Sequence, residues 1–273
     1  MIVDKLRGEN MKKIINPVML AIFLMSVFIS NYALADRGRD IIEEAVKKGQ
    51  GYEDSDTLQE LITTDSSGKA NRRLLRVTRL EGNEKVGDKI LLVVREPQTY
   101  KGMALLTHGM LGKDEEQWTY NRRNYKVRRV SPIDKAKSFS SSEFTFEDLG
   151  IRELDDYTYR FIKETEINGK KTFEVEAIPV DPKSGYSRQV AWLDQENLRI
   201  LKIDFYDKDK VLEKTRFNEN YQLYSEKYWR AHLVRMVNHK TNRKSEFIVQ
   251  DKFKFNVGLT EKNFTTNELQ RIR

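Results

Sequence analysis

The chain contains no cysteine. That excludes disulfides, thiolate nucleophiles and cysteine-ligated zinc, and it excludes a lipid-modified N-terminal cysteine. Histidine is scarce, with His108, His232 and His239 the whole complement. No H-E-x-x-H spacing occurs, and His232 and His239, seven residues apart, fall on opposite faces of a strand. His108, at the end of an expected strand, reads as an ordinary surface histidine. There is no G-x-S-x-G elbow and no G-x-x-x-x-G-K-S/T phosphate loop. The acidic pairs Glu147/Asp148 and Asp155/Asp156 are adjacent in sequence, so a strand would turn each pair apart, whereas glycoside hydrolysis needs two facing carboxylates. These absences leave no catalytic residue, cofactor site or metal site to name, and the expectation is a protein that is not an enzyme.

Long apolar runs are also missing, with one exception near the start. Met11-Lys12-Lys13 opens it, an apolar run from Val18 to Ile29 broken by Ser26 follows, and Ala33-Leu34-Ala35 closes it before Asp36. A basic region, a short apolar core and an A-x-A exit make a secretory signal peptide. We therefore expect residues 1–35 to be a signal segment with its natural start at Met11, cleaved after Ala35. The alternative is an uncleaved anchor: Ile14–Leu34 is 21 residues long, near bilayer-spanning length, but Asn16, Pro17, Ser30 and Asn31 interrupt it. Cleavage leaves 238 of the 273 residues, enough for one β-rich domain with a real core, soluble and not lipid-anchored.

Neither sign of charge is in short supply. After Ala35 the chain has 45 basic and 40 acidic residues, a mild excess. Arg122, Arg123, Lys126, Arg128 and Arg129 form its densest knot. Export argues against nucleic acid as a partner. A solvated strand face is the plainer reading, and contact with anionic head groups or an acidic partner is the functional one.

Helical periodicity is confined to the ends. Ile41, Ile42, Ala45 and Val46 form one stripe over residues 36–50, stopped by Gly49 and Gly51, and Thr260–Ile272 is the second candidate. Between them strand follows strand. Asp65-Ser66-Ser67-Gly68-Lys69 joins 57–64 to 72–80, and Asn168-Gly169 joins 157–166 to 171–179 as hairpin turns. Lys252–Val257 is the last strand expected. Leu201, Ile203 and Phe205 alternate with Lys202, Asp204 and Tyr206, the signature of an antiparallel sheet with one wet face. About a dozen strands in one sheet must curl, close or split. The expected fold is therefore mainly β: a large curled antiparallel sheet around something apolar. Aromatics at period two, such as Trp118/Tyr120, Phe144/Phe146 and Phe253/Phe255, read singly as core and together as a possible cavity lining.

Certain residues carry a resemblance. Pro97–Leu106 has the form P-x-x-x-x-G-x-x-L; Gln117-Trp118-Thr119-Tyr120, Arg128-Arg129-Val130 and Ser141-Ser142-Glu143-Phe144-Thr145-Phe146-Glu147-Asp148-Leu149 follow in order. Over residues 50–260 this order resembles the LolA-like outer-membrane lipoprotein-sorting proteins, whose pattern runs W-x-Y-x-P, R-R-I, then G-S-D-F-x-Y-E-D-L. The proline after W-x-Y is absent here, Ser141 replaces glycine, Glu143 replaces aspartate and Phe146 replaces tyrosine. These departures bear on the ligand site more than on the fold.

The resemblance implies a half-open β-barrel, with N-terminal and C-terminal helices covering the concave apolar face, as a single domain over residues 36–273. It implies a periplasmic carrier that shields acyl chains of a lipoprotein or lipid and hands them toward the outer membrane. Its partners would be an inner-membrane transporter and an outer-membrane acceptor, and it would act as a monomer without cofactor or metal. Candidate cavity residues are Leu92, Val94, Leu106, Trp118, Tyr120, Phe144, Phe146, Trp192 and Phe205. Lid candidates are Ile41, Ile42, Ala45 and Val46; head-group or partner contacts are Arg122, Arg123, Arg128 and Arg129. Two alternatives share the fold: an accessory of an RND-type lipid exporter, and a periplasmic regulatory sensor binding an anti-sigma partner. The identity of the ligand is not legible, because every acyl cargo demands the same apolar lining.

Overall fold

The structure is a computed structural model that describes residues 34–83 and 86–272. The expected signal segment, residues 1–35, lies outside the described residues except for Leu34 and Ala35. Residues 34–49 form helix α1. Ile41 is buried, and Ile42 and Ala45 pack against the main core. Glu43 and Lys47 pair at 2.6 Å and Glu44 and Lys48 at 3.2 Å. Exposed i,i+4 pairs contribute a few tenths of a kcal/mol, so packing of the apolar stripe holds the helix. Gly51, at φ 91°, carries the chain out of it.

Among the described residues fourteen strands follow in one sheet. The first meander is β1 (Asp54–Thr64), β2 (Ala70–Leu80), β3 (Lys89–Glu96), β4 (Ala104–His108), β5 (Glu116–Asn121) and β6 (Lys126–Arg129). The second is β7 (Tyr157–Ile167), β8 (Lys170–Pro179), β9 (Arg188–Asp194), β10 (Ile200–Tyr206), β11 (Leu212–Tyr224), β12 (Tyr228–Asn238) and β13 (Lys244–Val249). Pairing of β1 with β13 joins the two, and β14 (Lys254–Phe255) adds to β1. The pairings are antiparallel throughout. The edges, β6 and β7, do not meet, so the sheet curls without closing, as a half-open barrel.

Local chemistry sets the hairpins. The Asp65 carboxylate accepts from Ser67 N at 2.9 Å, Ser67 Oγ at 2.6 Å and Lys69 N at 3.0 Å, closing β1 to β2. Asn168 (φ 50°) and Gly169 (φ 77°) both take the left-handed conformation, which matches the twist of a two-residue hairpin between β7 and β8.

Both faces of the first meander are apolar because both are covered. Leu75, Val77, Ile90, Leu92, Val94 and Leu105 face the concave side and join the main core with Phe161, Val175, Leu193, Met236 and Phe247. Alternation turns Leu91, Val93, Ala104, Leu106 and Tyr120 the other way. There the C-terminal segment covers them through Phe264 and Leu269, each essentially fully buried. That segment is one 3-10 turn, Glu261–Phe264, and helix α2, Thr266–Arg271. Thr265 divides them, its side chain capping α2 by accepting from Glu268 N. The strand expected over 252–257 shrinks to the two residues of β14. The Asp54 carboxylate takes the N–H groups of Val257, Gly258 and Leu259 at 2.8, 3.0 and 3.1 Å and ends the ladder.

Residues 130–156 run from β6 to β7 across the concave side. Apart from two 3-10 turns they are irregular, and buried polar bonds pin them to the sheet. Asp148 and Lys214 meet at 3.0 Å with side chains 1% and 3% exposed. Tyr186 Oη and Thr145 N also donate to Asp148, at 2.8 Å each. Burial alone would raise the Asp148 carboxyl, but the Lys214 charge and these donors outweigh it and hold it below the usual carboxylate range. Asn238 Nδ2 donates to Glu143 at 2.8 Å, and Gly185 N donates to Glu147 at 2.8 Å. The block Ser141–Leu149 is thus the anchored stretch of a crossover that lies inside the curl.

Candidate functional site

The concave side is not filled. Beneath α1 lie two adjoining hollows, one of about 780 Å³ and one of about 530 Å³, which share Ala45, Val46, Arg152, Tyr221 and Trp229. The larger reaches Val77, Ile90, Leu92, Phe144 and Phe247 on the first meander and the crossover. The smaller runs toward Val175, Ala177, Ala191 and Leu198 on the second. A third hollow of about 290 Å³ sits between β5 and the crossover, against Val94, Met103 and Phe146. Volumes of this order suit small organic ligands, and the apolar stretches of wall favour ligands with an apolar part, beside charged side chains such as Glu81, Asp88 and Arg230 in the larger hollow.

The four lid residues come together. Ile42, Ala45 and Val46 border the hollows, and Ile41 is buried beside them. α1 is fixed near its start. A side chain at Gly38 would sit 2.5 Å from Phe161 N, so the helix lies directly on the backbone of edge strand β7. Arg37 stacks over the Phe161 ring at 3.8 Å and pairs with Glu164 at 2.6 Å. Near its end, Arg230 Nη2 donates to Gly49 O at 3.2 Å.

The expected cavity residues divide by face. Leu92 and Phe144 line the largest hollow, and Val94 and Phe146 line the third. Phe205 is buried in the concave core with its ring 4.9 Å from Tyr186, and it borders none of the three hollows. Leu106, Trp118 and Tyr120 face away, packed beneath α2, although Tyr120 also touches the third hollow. Trp192 faces outward under Lys202, whose Nζ sits 4.2 Å from its ring. Arg122, Arg123, Arg128 and Arg129 gather around the β5–β6 turn, where Arg123, Arg128 and Arg129 are exposed. Arg123 donates to Thr99 O at 2.9 Å, and Arg129 pairs with Glu116.

Two cations that line the hollow are absent from the expected set. Arg216, on β11, makes no hydrogen bond or ion pair with any described residue, and burial followed by the like charge of Arg152 pulls its guanidinium below its ordinary range. Arg152 lies in the crossover just before its second 3-10 turn. Its guanidinium lies 4.0 Å from the Tyr157 ring and donates to Gln189, again with no carboxylate partner. Arg152 is exposed, and part of its surface borders both hollows. Tyr159, on the same wall, has a buried hydroxyl without a partner, and burial pushes it up to about 12. The sequence carries one trace of this. Lys214, Arg216 and Asn218 alternate with Thr215, Phe217 and Glu219, so β11 shows no apolar face.

The histidines are committed elsewhere. His108 Nε2 bonds Phe264 O at 2.6 Å, and burial lowers its pKa. His232 bonds Tyr224 Oη at 2.7 Å, and His239 bonds Thr215 Oγ1 at 2.8 Å. Among the described residues no group of three His, Asp or Glu side chains is placed to hold a metal ion. No helix among them is long and apolar enough to cross a membrane.

A family model described as that of an uncharacterized protein matches residues 87–271. No curated protein matches the chain. Among solved structures, the chain is similar to a candidate outer membrane lipoprotein-sorting protein domain from Vibrio parahaemolyticus, at 37% identity and a TM-score of 0.84, covering 87% of this chain and 100% of that one. It is similar to a DUF1329 family protein from Desulfovibrio piger at 23% identity and a TM-score of 0.81, covering 86% and 99%. A LolA superfamily protein from Nitrosomonas europaea matches at 20% identity and a TM-score of 0.68, covering 85% and 98%. The last two are likenesses of fold.

Proposed function

We propose, since this chain belongs to the LolA-like family of outer-membrane lipoprotein-sorting proteins, that it is a periplasmic carrier of acyl chains. Residues 1–35 direct export and are cut after Ala35, and residues 36–273 act as one carrier domain. It takes its cargo from an inner-membrane donor, shields the chains beneath α1 and releases them toward an outer-membrane acceptor. It uses no catalytic residue, metal or cofactor.

The observation that carries this reading is the pair of adjoining hollows under an amphipathic helix, each with a stretch of apolar wall, Val77, Ile90, Leu92 and Phe247 in one and Val175, Ala177, Ala191 and Leu198 in the other. Burying a methylene contributes about 0.8 kcal/mol, so about ten of them give about 8 kcal/mol, the scale of micromolar affinity before the costs of association. A carrier must also let go. The free energy spent in raising α1 offsets part of that gain and makes exchange reversible.

Lipids co-purifying with the exported protein, identified by mass spectrometry, test the reading, together with uptake of a fluorescent fatty acid. Bound acyl lipid and uptake are expected, and Ala45→Trp, which fills the junction of the two hollows, should lower uptake by at least about tenfold, the effect of losing a few buried methylenes. Protein free of lipid that takes up no fatty acid would overturn the proposal.

A further inference from the structure

Arg216 and Arg152 both line the larger hollow, whose wall mixes aliphatic side chains with charged ones, and the charge of Arg152 reaches Arg216; neither has a carboxylate partner among the described residues. Burying an unpaired charge is costly, and natural proteins seldom keep one without a use. Most of the acids on the same wall are occupied. Asp148, whose charge reaches Arg216, is held by Lys214, Tyr186 and Thr145. Glu81 accepts from Gly51 N at 2.7 Å and Glu53 N at 3.0 Å, Asp88 accepts from Gly82 N at 2.7 Å, and Glu43 pairs with Lys47. Glu153, raised by burial and by its acidic neighbours, forms no ion pair with either arginine. The Tyr159 hydroxyl, next to Arg152, is a further donor without an acceptor. Two guanidinium groups without a carboxylate, and a phenol whose enclosed hydroxyl lacks an acceptor, thus border a space whose remaining walls mix aliphatic side chains with acids that pair with neither arginine.

We propose that the cargo carries an oxyanion on its acyl chain, and that Arg216 and Arg152, with Tyr159, bind that oxyanion inside the hollow. The inference rests on the acyl-carrier reading above and narrows it. Planar guanidinium groups match the two-oxygen geometry of carboxylate and phosphate, and a low-dielectric site strengthens the attraction. A fatty carboxylate and a phospholipid phosphate share this chemistry. A neutral acyl chain would leave both cations uncompensated.

The test compares charged and neutral ligands of matched chain on the full mature protein. One pair is hexadecanoate and its methyl ester; the other is dioctanoyl phosphatidic acid and dioctanoylglycerol. In at least one pair the anion should bind roughly 10- to 100-fold tighter, the range of a charge-assisted hydrogen-bonded contact. A preference confined to the first pair assigns the carboxylate, and one confined to the second assigns the phosphate. Arg216→Met should reduce the preference to within about threefold by weakening binding of the anion, and raise the melting temperature of the ligand-free protein by removing a half-buried charge that has no ion pair. Equal binding within both pairs by the unaltered protein would overturn the oxyanion site and leave the carrier standing. Binding of none of the four ligands would remove the carrier and the site together. An Arg216→Met protein that keeps the preference, or that melts lower or fails to fold, would assign Arg216 a structural role and also overturn the proposal.

Discussion

Glu115 shows how a single residue ties the crossover to pH. Its carboxylate accepts from Ile151 N at 2.5 Å and faces Lys135 Nζ at 3.5 Å, in a site that excludes most solvent. Burial, opposed by Lys135 and the Ile151 bond, pushes Glu115 up to about 7. The unfolded chain releases this proton near pH 4.5, so between 4.5 and 7 the native state holds a proton that the unfolded state has lost. Stability therefore falls as pH rises through that window, by about 3 kcal/mol from this group, and is level above it. Urea denaturation at pH 5 and pH 8 should show a smaller difference for Glu115→Gln than for the unaltered protein, and an equal difference would refute the assignment. Residues of this kind were the least legible. Arg152 and Arg216 carry no mark in the sequence, because a polar side chain in a strand or loop looks the same whether it faces water or a hollow. Only the curl of the sheet, which brings β11 opposite the crossover, separates the two cases.

At the scale of elements, α1 was legible because its stripe of Ile41, Ile42, Ala45 and Val46 has helical spacing with glycines after it. The hairpins were legible because Asp65 and Asn168-Gly169 carry turn chemistry in their own side chains and conformations. Face assignment was not. Trp118 and Tyr120 alternate as a strand should, but alternation marks the apolar side as the core side only when the other side is wet. Here α2 and Phe264 cover the second side, so both parities are apolar and spacing cannot tell concave from convex. Phe144 and Phe146, also two apart, belong to an irregular crossover whose fixed points are charges in Glu143, Glu147 and Asp148. The contact of Gly38 with β7 gives a prediction for the lid. A methyl group there meets backbone 2.5 Å away, which has no rotamer to yield. Gly38→Ala should lift the first turns of α1 and cost about 1–3 kcal/mol of stability, the usual effect of overpacking. It should also speed the release of a bound fluorescent fatty acid in a displacement assay, and a slower release would contradict a lid pivoting on β7.

For the whole molecule, the decisive pairing is β1 with β13, in which Gln59 lies opposite Val249. The two meanders can form locally, but the seam between them joins segments almost a full chain apart. Without disulfides, nothing covalent shortens that search. Topologies dominated by distant strand pairs fold on the order of milliseconds to seconds. Stopped-flow refolding followed by tryptophan fluorescence should fall in that range, and a microsecond phase carrying the full amplitude would show that the seam is not limiting. The same openness leaves β7 with one neighbouring strand among the described residues. Its eleven residues carry a row of main-chain donors and acceptors with no ladder on the outer side. α1 lies on that strand beside its bulge between Phe161 and Lys163. If α1 is the lid of the proposed carrier, raising it would also unclothe a strand rim, so that admission and adhesiveness would be a single motion. A docking protein that lends a strand to β7 would wedge the entrance open, while unaccompanied open copies would stick to one another, a hazard that favours exchange during contact with a partner over exchange in free solution.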